Sequence, residues 1–465
     1  MELDPLLLSR LQFAFVVSFH AIFPVFTIGL ASYIAVLEGL AYKTENPIWT
    51  RLSTFWTRVF AVVFGMGVVS GIVMAFQFGT NWSNFSYISA NFLGPILSYE
   101  VVTAFFLEAA FLGVLLFGRG KVPPGIFLLS AILVAVGTFI SSFWILSANS
   151  WMHTPAGFEF RGELIYVTSW LEAIFNPSLP YRFAHMGLAS FLTGGFVVAG
   201  VSAWYLIRKR EVEANRKALS MTLWLLLILT PLQTWVGDLH GLNTLEHQPV
   251  KVAAMEGNWE TQSNVPLLLF ALPDQENQTN RFEIGIPNLA SIILKHSADG
   301  VVPGLNEVAP EEQPPVAWVF WSFRVMVGIG LLMIAVAVTG LVLRLKGTLW
   351  SSQWYWRVLQ VMSITPFIAV IAGWFTTEIG RAPWLIYGVM TFEQGLTPSL
   401  QGWMALVTLI GYIVVYALVF TGGLYYLMRI LRDGLEYQAH EPDDEPSHRA
   451  KRPLSAVDVP LEEGA

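Results

Sequence analysis

Apolar residues run almost unbroken through nine segments of the chain, near residues 13–41, 54–78, 93–117, 125–147, 181–206, 219–236, 318–343, 358–378 and 402–428. Each is close to or above the about 20 residues an α-helix needs to cross the hydrocarbon core of a bilayer. Backbone amides find no water in lipid, so open runs of this kind are satisfied as helices. The pattern therefore predicts an all-α integral membrane protein with nine transmembrane helices. The first run follows a nearly uncharged N-terminus, extends well past a signal-peptide core and lacks a small-residue cleavage site, so it is expected to stay in the mature protein.

The polar intervals supply the orientation and the domains. Alternate intervals, from Lys43 to Arg58, Arg119 to Lys121, Arg208 to Lys217, Arg344 to Arg357 and the C-terminus, hold 18 of the 26 basic residues. By the positive-inside rule that side is cytoplasmic and the N-terminus lies outside. The chain then divides into helices one to six over 1–236, an extracytoplasmic loop over 237–317, helices seven to nine over 318–430 and a disordered cytoplasmic tail over 431–465. The loop is too long and polar for a simple connector. With few apolar runs, it is expected to be the least rigid part of the ordered chain.

Composition narrows the chemistry. Charged residues make up only 13% against 54% hydrophobic, which supports membrane insertion, and a net charge of −7 argues against a nucleic-acid partner. No cysteine is present, so iron–sulfur clusters, thiolate-ligated or covalently attached haem and thiolate copper sites are excluded. A redox metal here must be held by His, Met or carboxylate.

Ionisable groups at membrane depth cost roughly 2.5 to 3.5 kcal/mol each and are functional candidates by default. His20 and His185 lie roughly 13 and 7 Å below the outer surface at about 1.5 Å per residue. Met326 lies a turn or two into the seventh run, Glu378 closes the eighth and Glu100 is about two turns into the third. Five potential haem ligands on five helices thus converge on the outer third of the bilayer. A His–Met pair saturates haem iron, whereas a single His or carboxylate leaves a position for oxygen. Glu108 lies about 12 Å deeper than Glu100 and ~80° around the same helix, which suits two rungs of a proton relay. The bland alternative is a pair of protonated acids bonding neighbouring helices.

Ordered motifs add a resemblance. SRLQFAF with His20, FQFGTNW at 76–82, the run containing Glu100 and ending FFLE at Glu108, and WILSANSWMHTP at 144–155 come first. The His185 helix, KVAAMEGNWET at 251–261, PDQE at 273–276, FRVM at 323–326 and GWFTTEIGRAPW at 373–384 follow. Over residues 1 to 430 the chain resembles subunit I of cytochrome bd-type quinol oxidases. The resemblance implies a terminal oxidase that oxidises quinol at the outer face and reduces oxygen to water, building a proton gradient without pumping.

It also implies site roles. His185 and Met326 would bind a low-spin haem b, with Arg324 near it. His20 and Glu378 would bind two high-spin haems, one haem b and one haem d or a further haem b in its place. Trp374 and Arg381 would line the haem layer, Glu100 and Glu108 would serve oxygen-side proton delivery, and Lys251 and Glu256 would belong to the quinol-binding loop 237–317. A second membrane subunit, a small single-helix subunit, the bilayer and a bacterial cytoplasmic membrane location are implied as well. Three departures stand out: the outer loop passes from PGLNE almost directly to the Pro-rich run, as in the short-loop branch that includes cyanide-insensitive oxidases; Ala382 replaces a usual Gln; and Ala75 replaces a frequent acid. Two other functions remain open, a di-haem quinol dehydrogenase that never meets oxygen and a proton-coupled transporter. A haem–copper oxidase is disfavoured because only His20 and His185 fall inside the predicted spans.

Overall fold

The computed structural model describes residues 3–435. Among them are nine helices long and apolar enough to cross a membrane: Pro5–Thr44, Pro47–Thr80, Ala90–Phe117, Pro124–His153, Leu179–Ile207, Val212–His247, Pro310–Leu345, Gln353–Ile379 and Gly402–Asp433. They are called spans one to nine below. Local chemistry starts the first two. Asp4 accepts a hydrogen bond from the Leu6 amide at 2.8 Å and Asn46 from that of Ile48 at 3.0 Å, each with Pro next in the chain. An N-cap acceptor followed by Pro satisfies an orphan donor and pre-sets φ for the helix.

Several boundaries differ from the sequence pattern. Span six continues eleven residues past the apolar run, to His247, so Asp238 and His240 sit on the helix and the outer loop starts at Gln248. Span four reaches His153. The helices therefore carry more histidines than the two expected, since polar residues that face other helices escape a hydropathy count. Span eight is interrupted between Met362 and Thr365, just before Pro366, whose missing amide cannot continue a ladder. Span nine persists to Asp433, into the expected tail, and residues 436–465 of that assignment lie outside the described residues.

The all-α expectation holds for the spans but not for the segments between them. Three two-stranded antiparallel hairpins occur: Phe158–Arg161 with Leu164–Val167, Leu267–Asp274 with Thr279–Ile286, and Trp384–Ile386 with Met390–Thr391. The outer loop is also better packed than its composition suggests. Val252, Ala253, Ala254, Trp259, Val265, Ala290, Val302 and Leu305 bury one another against Val316 and Val319 of span seven. A segment with its own core opens less readily than one without, which removes the basis for expecting unusual mobility.

Spans one and five approach closely at glycines. A Cβ placed on Gly194 would lie 3.1 Å from Gly29 Cα, and one on Gly29 would run into the carbonyl of Ser190. Gly29→Val is expected to force these helices apart at a cost of about 1–3 kcal/mol. The thermal midpoint in detergent should fall by several degrees, while Gly39→Val, at a position with nothing within 4 Å of a Cβ, should leave it unchanged.

Candidate functional site

Span one brings His20 against span two at Ser70 and Gly71. His20 Nδ1 is 2.9 Å from Ser70 Oγ, and Ser70 Oγ donates its one hydrogen to the Gly67 carbonyl at 2.9 Å. Ser70 must then accept from Nδ1–H, leaving Nε2 as the free nitrogen with a lone pair. Gly71 backs the ring, since a Cβ there would lie 3.0 Å from the imidazole and press on it. This arrangement leaves His20 Nε2 available as a lone-pair donor.

His185 faces one stripe of span six. Gln233 Nε2 lies 3.3 Å from Nδ1 and 3.2 Å from Nε2, a Cβ on Gly237 would sit 3.2 Å from the ring, and the His240 ring centroid is 5.6 Å away. Positions 233, 237 and 240 are spaced four and three, so they share a helix face. Met326 of span seven rests on span eight, where a Cβ on Gly373 would meet its sulfur at 2.9 Å. The next residue, Trp374, has a buried indole N–H without a hydrogen-bond partner among the described residues.

Glu378, at the C-terminal end of span eight, is the most heavily partnered candidate. One oxygen accepts from Asn149 Nδ2 at 2.8 Å and lies 3.3 Å from His153 Nε2, and the other accepts from Arg381 Nη2 at 2.6 Å. Asn149 and His153 are one turn apart on span four, so both reach the same carboxylate. His153 Nδ1 in turn lies 3.0 Å from Lys251 Nζ. Lys251 belongs to a short helix, Pro249–Glu256, that opens the outer loop and lies against span seven.

That short helix separates the two loop residues. Lys251 turns inward to His153, whereas Glu256 Oε2 receives Arg324 Nη2 at 2.9 Å. Arg324 also donates to the carbonyls of Met255 at 2.6 Å and Leu268 at 2.7 Å. Beside Glu256 lies a polar cavity of about 230 Å³ bordered by Trp259, Glu260, Asn280 and Glu283 but not by Lys251. The two side chains thus diverge from one short helix, and both are buried.

Glu100 and Glu108 lie closer in angle than a regular helix allows. A turn of π-helix, Val101–Phe105, separates them. The residue it absorbs brings eight positions close to two whole α-turns, within roughly 20° instead of ~80°. Both then meet one ridge of span four: Ser141 Oγ donates to Glu100 at 2.7 Å, and Glu108 packs over Gly137, one turn along. Glu108 Oε1 is buried without a hydrogen-bond partner among the described residues.

Electrostatically the cluster around Glu378 is rich in basic side chains. Arg182, Lys251 and Arg381 are all buried around a single carboxylate, Glu378. Burial pushes the Lys251 ammonium well below its ordinary range, with Arg182 and Arg381 adding to the shift and Glu378 opposing it. Burial likewise lowers Arg381, with Glu378 opposing. Arg182 Nε and Arg381 Nε and Nη1 have no hydrogen-bond partner among the described residues. Buried donors left in this condition call for anions. Together with a His held ready by Ser70, single ligands on separate helices and glycines under the ring of His185 and the sulfur of Met326, this fits haem, whose carboxylates are such anions.

Arg182, His153, Asn149, Gln233 and His240 carry much of this geometry without having been assigned roles from sequence. Arg182 carried a readable signal, a membrane-embedded cation three residues before His185. His153 lay inside a quoted motif but just beyond the predicted end of its span.

Known proteins resemble this chain over nearly its whole length. A family described as cytochrome bd terminal oxidase subunit I matches residues 8–435. The chain is 35% identical over 448 residues to cytochrome bd ubiquinol oxidase subunit 1 of Bacillus subtilis (strain 168), covering 94% of this chain and 96% of that one. It is 32% identical over 501 residues to cytochrome bd-II ubiquinol oxidase subunit 1 of Escherichia coli (strain K12), covering 93% and 97%. The solved bd oxidase of Geobacillus thermodenitrificans superposes with a TM-score of 0.86 at 31% identity, covering 93% of this chain and 99% of that one.

Proposed function

The chain belongs to the cytochrome bd terminal oxidase subunit I family, and from that premise we propose how its residues serve a quinol:oxygen oxidoreductase of the respiratory chain. It is a multi-pass membrane protein. In the proposed orientation the N-terminus lies outside a bacterial cytoplasmic membrane and the basic intervals lie inside. Two quinols are oxidised and one oxygen becomes two waters. Protons leave to the outside and are taken from the inside, so a gradient forms without a separate pump.

His185 and Met326 would hold the low-spin haem b. His20 and Glu378 would hold the high-spin pair, a haem b and either haem d or another haem b, and Trp374 and Arg381, with their unpartnered donors, would line the haem layer. When bound, these groups supply electron transfer from quinol and the iron at which oxygen is reduced. The protein's own share is proton handling and positioning. Glu256 takes a quinol proton next to the polar cavity, Lys251 anchors the loop helix, and Glu108 and Glu100 pass protons toward the oxygen side. One observation carries the reading: Arg324, two residues from Met326, grips Glu256 and two loop carbonyls, tying the loop to the span of the proposed haem ligand. A second membrane subunit and a small single-helix subunit complete the complex. Span nine, most of whose apolar residues are exposed, leaves a broad face for a subunit or lipid.

A pyridine haemochrome spectrum and a carbon-monoxide difference spectrum of the purified protein test this. Haem bands with a carbon-monoxide shift are expected; no Soret band would indicate a transporter, and haem without the shift a dehydrogenase. The relay has its own test. Glu108→Gln should slow oxygen consumption by roughly a hundredfold or more, the usual worth of a positioned proton-transfer group. Rapid mixing should show the first haem still reduced by quinol at the normal rate, and impairment of that step would mean Glu108 is no relay member.

A further inference from the structure

We propose that His153 is a positioning residue through which Lys251, on the outer-loop helix, acts on the carboxylate of Glu378. The inference rests on Glu378 being an iron ligand. His153 is fully buried at the end of span four and touches both groups, at 3.0 Å to Lys251 Nζ and 3.3 Å to Glu378 Oε1. An ionised carboxylate only accepts, so Nε2 carries the ring hydrogen and Nδ1 is left to accept from Lys251. Each atom of the bridge then faces a complementary one.

Three surrounding contacts fix the bridge. Gln248 Nε2, at the start of the loop helix, donates to the His153 carbonyl at 2.8 Å. The Lys251 stem crosses the end of span eight at Gly380, where a Cβ would lie 2.9 Å from Lys251 Cγ. Asn149, one turn before His153, supplies a second donor to the same Glu378 oxygen. The loop helix whose far end carries Glu256 is thereby keyed to the end of span eight that carries Glu378. A quinol-induced shift of the loop helix would alter the hydrogen bonding of a ligand on the oxygen side. Partners of this kind set ligand orientation and basicity, and their loss is felt at the metal.

The test uses the purified complete oxidase and reads the midpoint potentials of the high-spin haems by spectroelectrochemical titration. His153→Leu removes the donor and Lys251→Met removes the hydrogen bond that polarises it. Either change leaves more negative charge on the carboxylate and favours oxidised iron, so the potential assigned to the Glu378 haem should fall in both. In the double variant it should fall no further than in the more affected single, because the two residues act in series. His153→Gln, whose amide offers an acceptor and a donor, should keep the wild-type potential. An unchanged potential in His153→Leu, or shifts that simply add, overturns the inference, and if His153→Leu does not assemble, an unchanged potential in Lys251→Met does so. Glu378→Ala separates the two readings. Loss of one high-spin haem there with unaltered potentials in the His153 and Lys251 variants sinks this inference alone, whereas a full haem complement sinks the ligand assignment as well.

Discussion

Glu256→Gln is expected to lower quinol-driven oxygen consumption by about a hundredfold to ten-thousandfold, the range lost with a general base, while an artificial donor that reduces the haems directly is still consumed. Haem spectra should stay normal. Glutamine is the informative replacement because Glu256 is buried against Arg324. An amide oxygen can still accept from the guanidinium, so the loop stays tied to span seven while the proton acceptor is gone. Glu256→Ala should lose quinol turnover too, but it strands the Arg324 cation. Breaking a buried pair in this way costs roughly 3–5 kcal/mol, so a lower thermal midpoint should accompany the loss. Retained quinol turnover in Glu256→Gln would move the quinol site elsewhere, and loss of both activities with altered haem spectra would indicate a folding defect.

Met326→Leu is expected to convert the low-spin haem to high spin and lower its potential, and quinol oxidation should slow sharply. The exchange nearly conserves volume, so the packing cost should stay below about 1.5 kcal/mol and the protein should assemble. What disappears is the thioether, the sulfur that lies over Gly373 and completes a His–Met pair with His185 on the proposed assignment. Optical and electron paramagnetic resonance spectra report the spin state, and a redox titration reports the potential. A variant that keeps the full low-spin signal would show that Met326 only fills space between spans seven and eight.

The sequence alone determined the number of spans, because burial in lipid demands unbroken apolar length and that length is written in consecutive residues. It also determined the first two helix starts, where Asp4–Pro5 and Asn46–Pro47 satisfy local donors, and the residue types that stand at membrane depth: His20, His185, Met326, Glu378, Glu100 and Glu108. Hydropathy stopped span six too early because Asp238 and His240 are polar, and it missed the hairpins because their strands, two to eight residues long, lie in the intervals between the apolar runs. Tertiary structure decided which of these groups meet. The π-turn that sets Glu100 and Glu108 on one ridge of span four, the grip of Arg324 on Glu256 and the place of His153 between Lys251 and Glu378 all join residues distant in sequence. Their geometry depends on the rotation and depth at which whole helices pack, and those are fixed by contacts such as Gly29 with Gly194 rather than by any local pattern of residues.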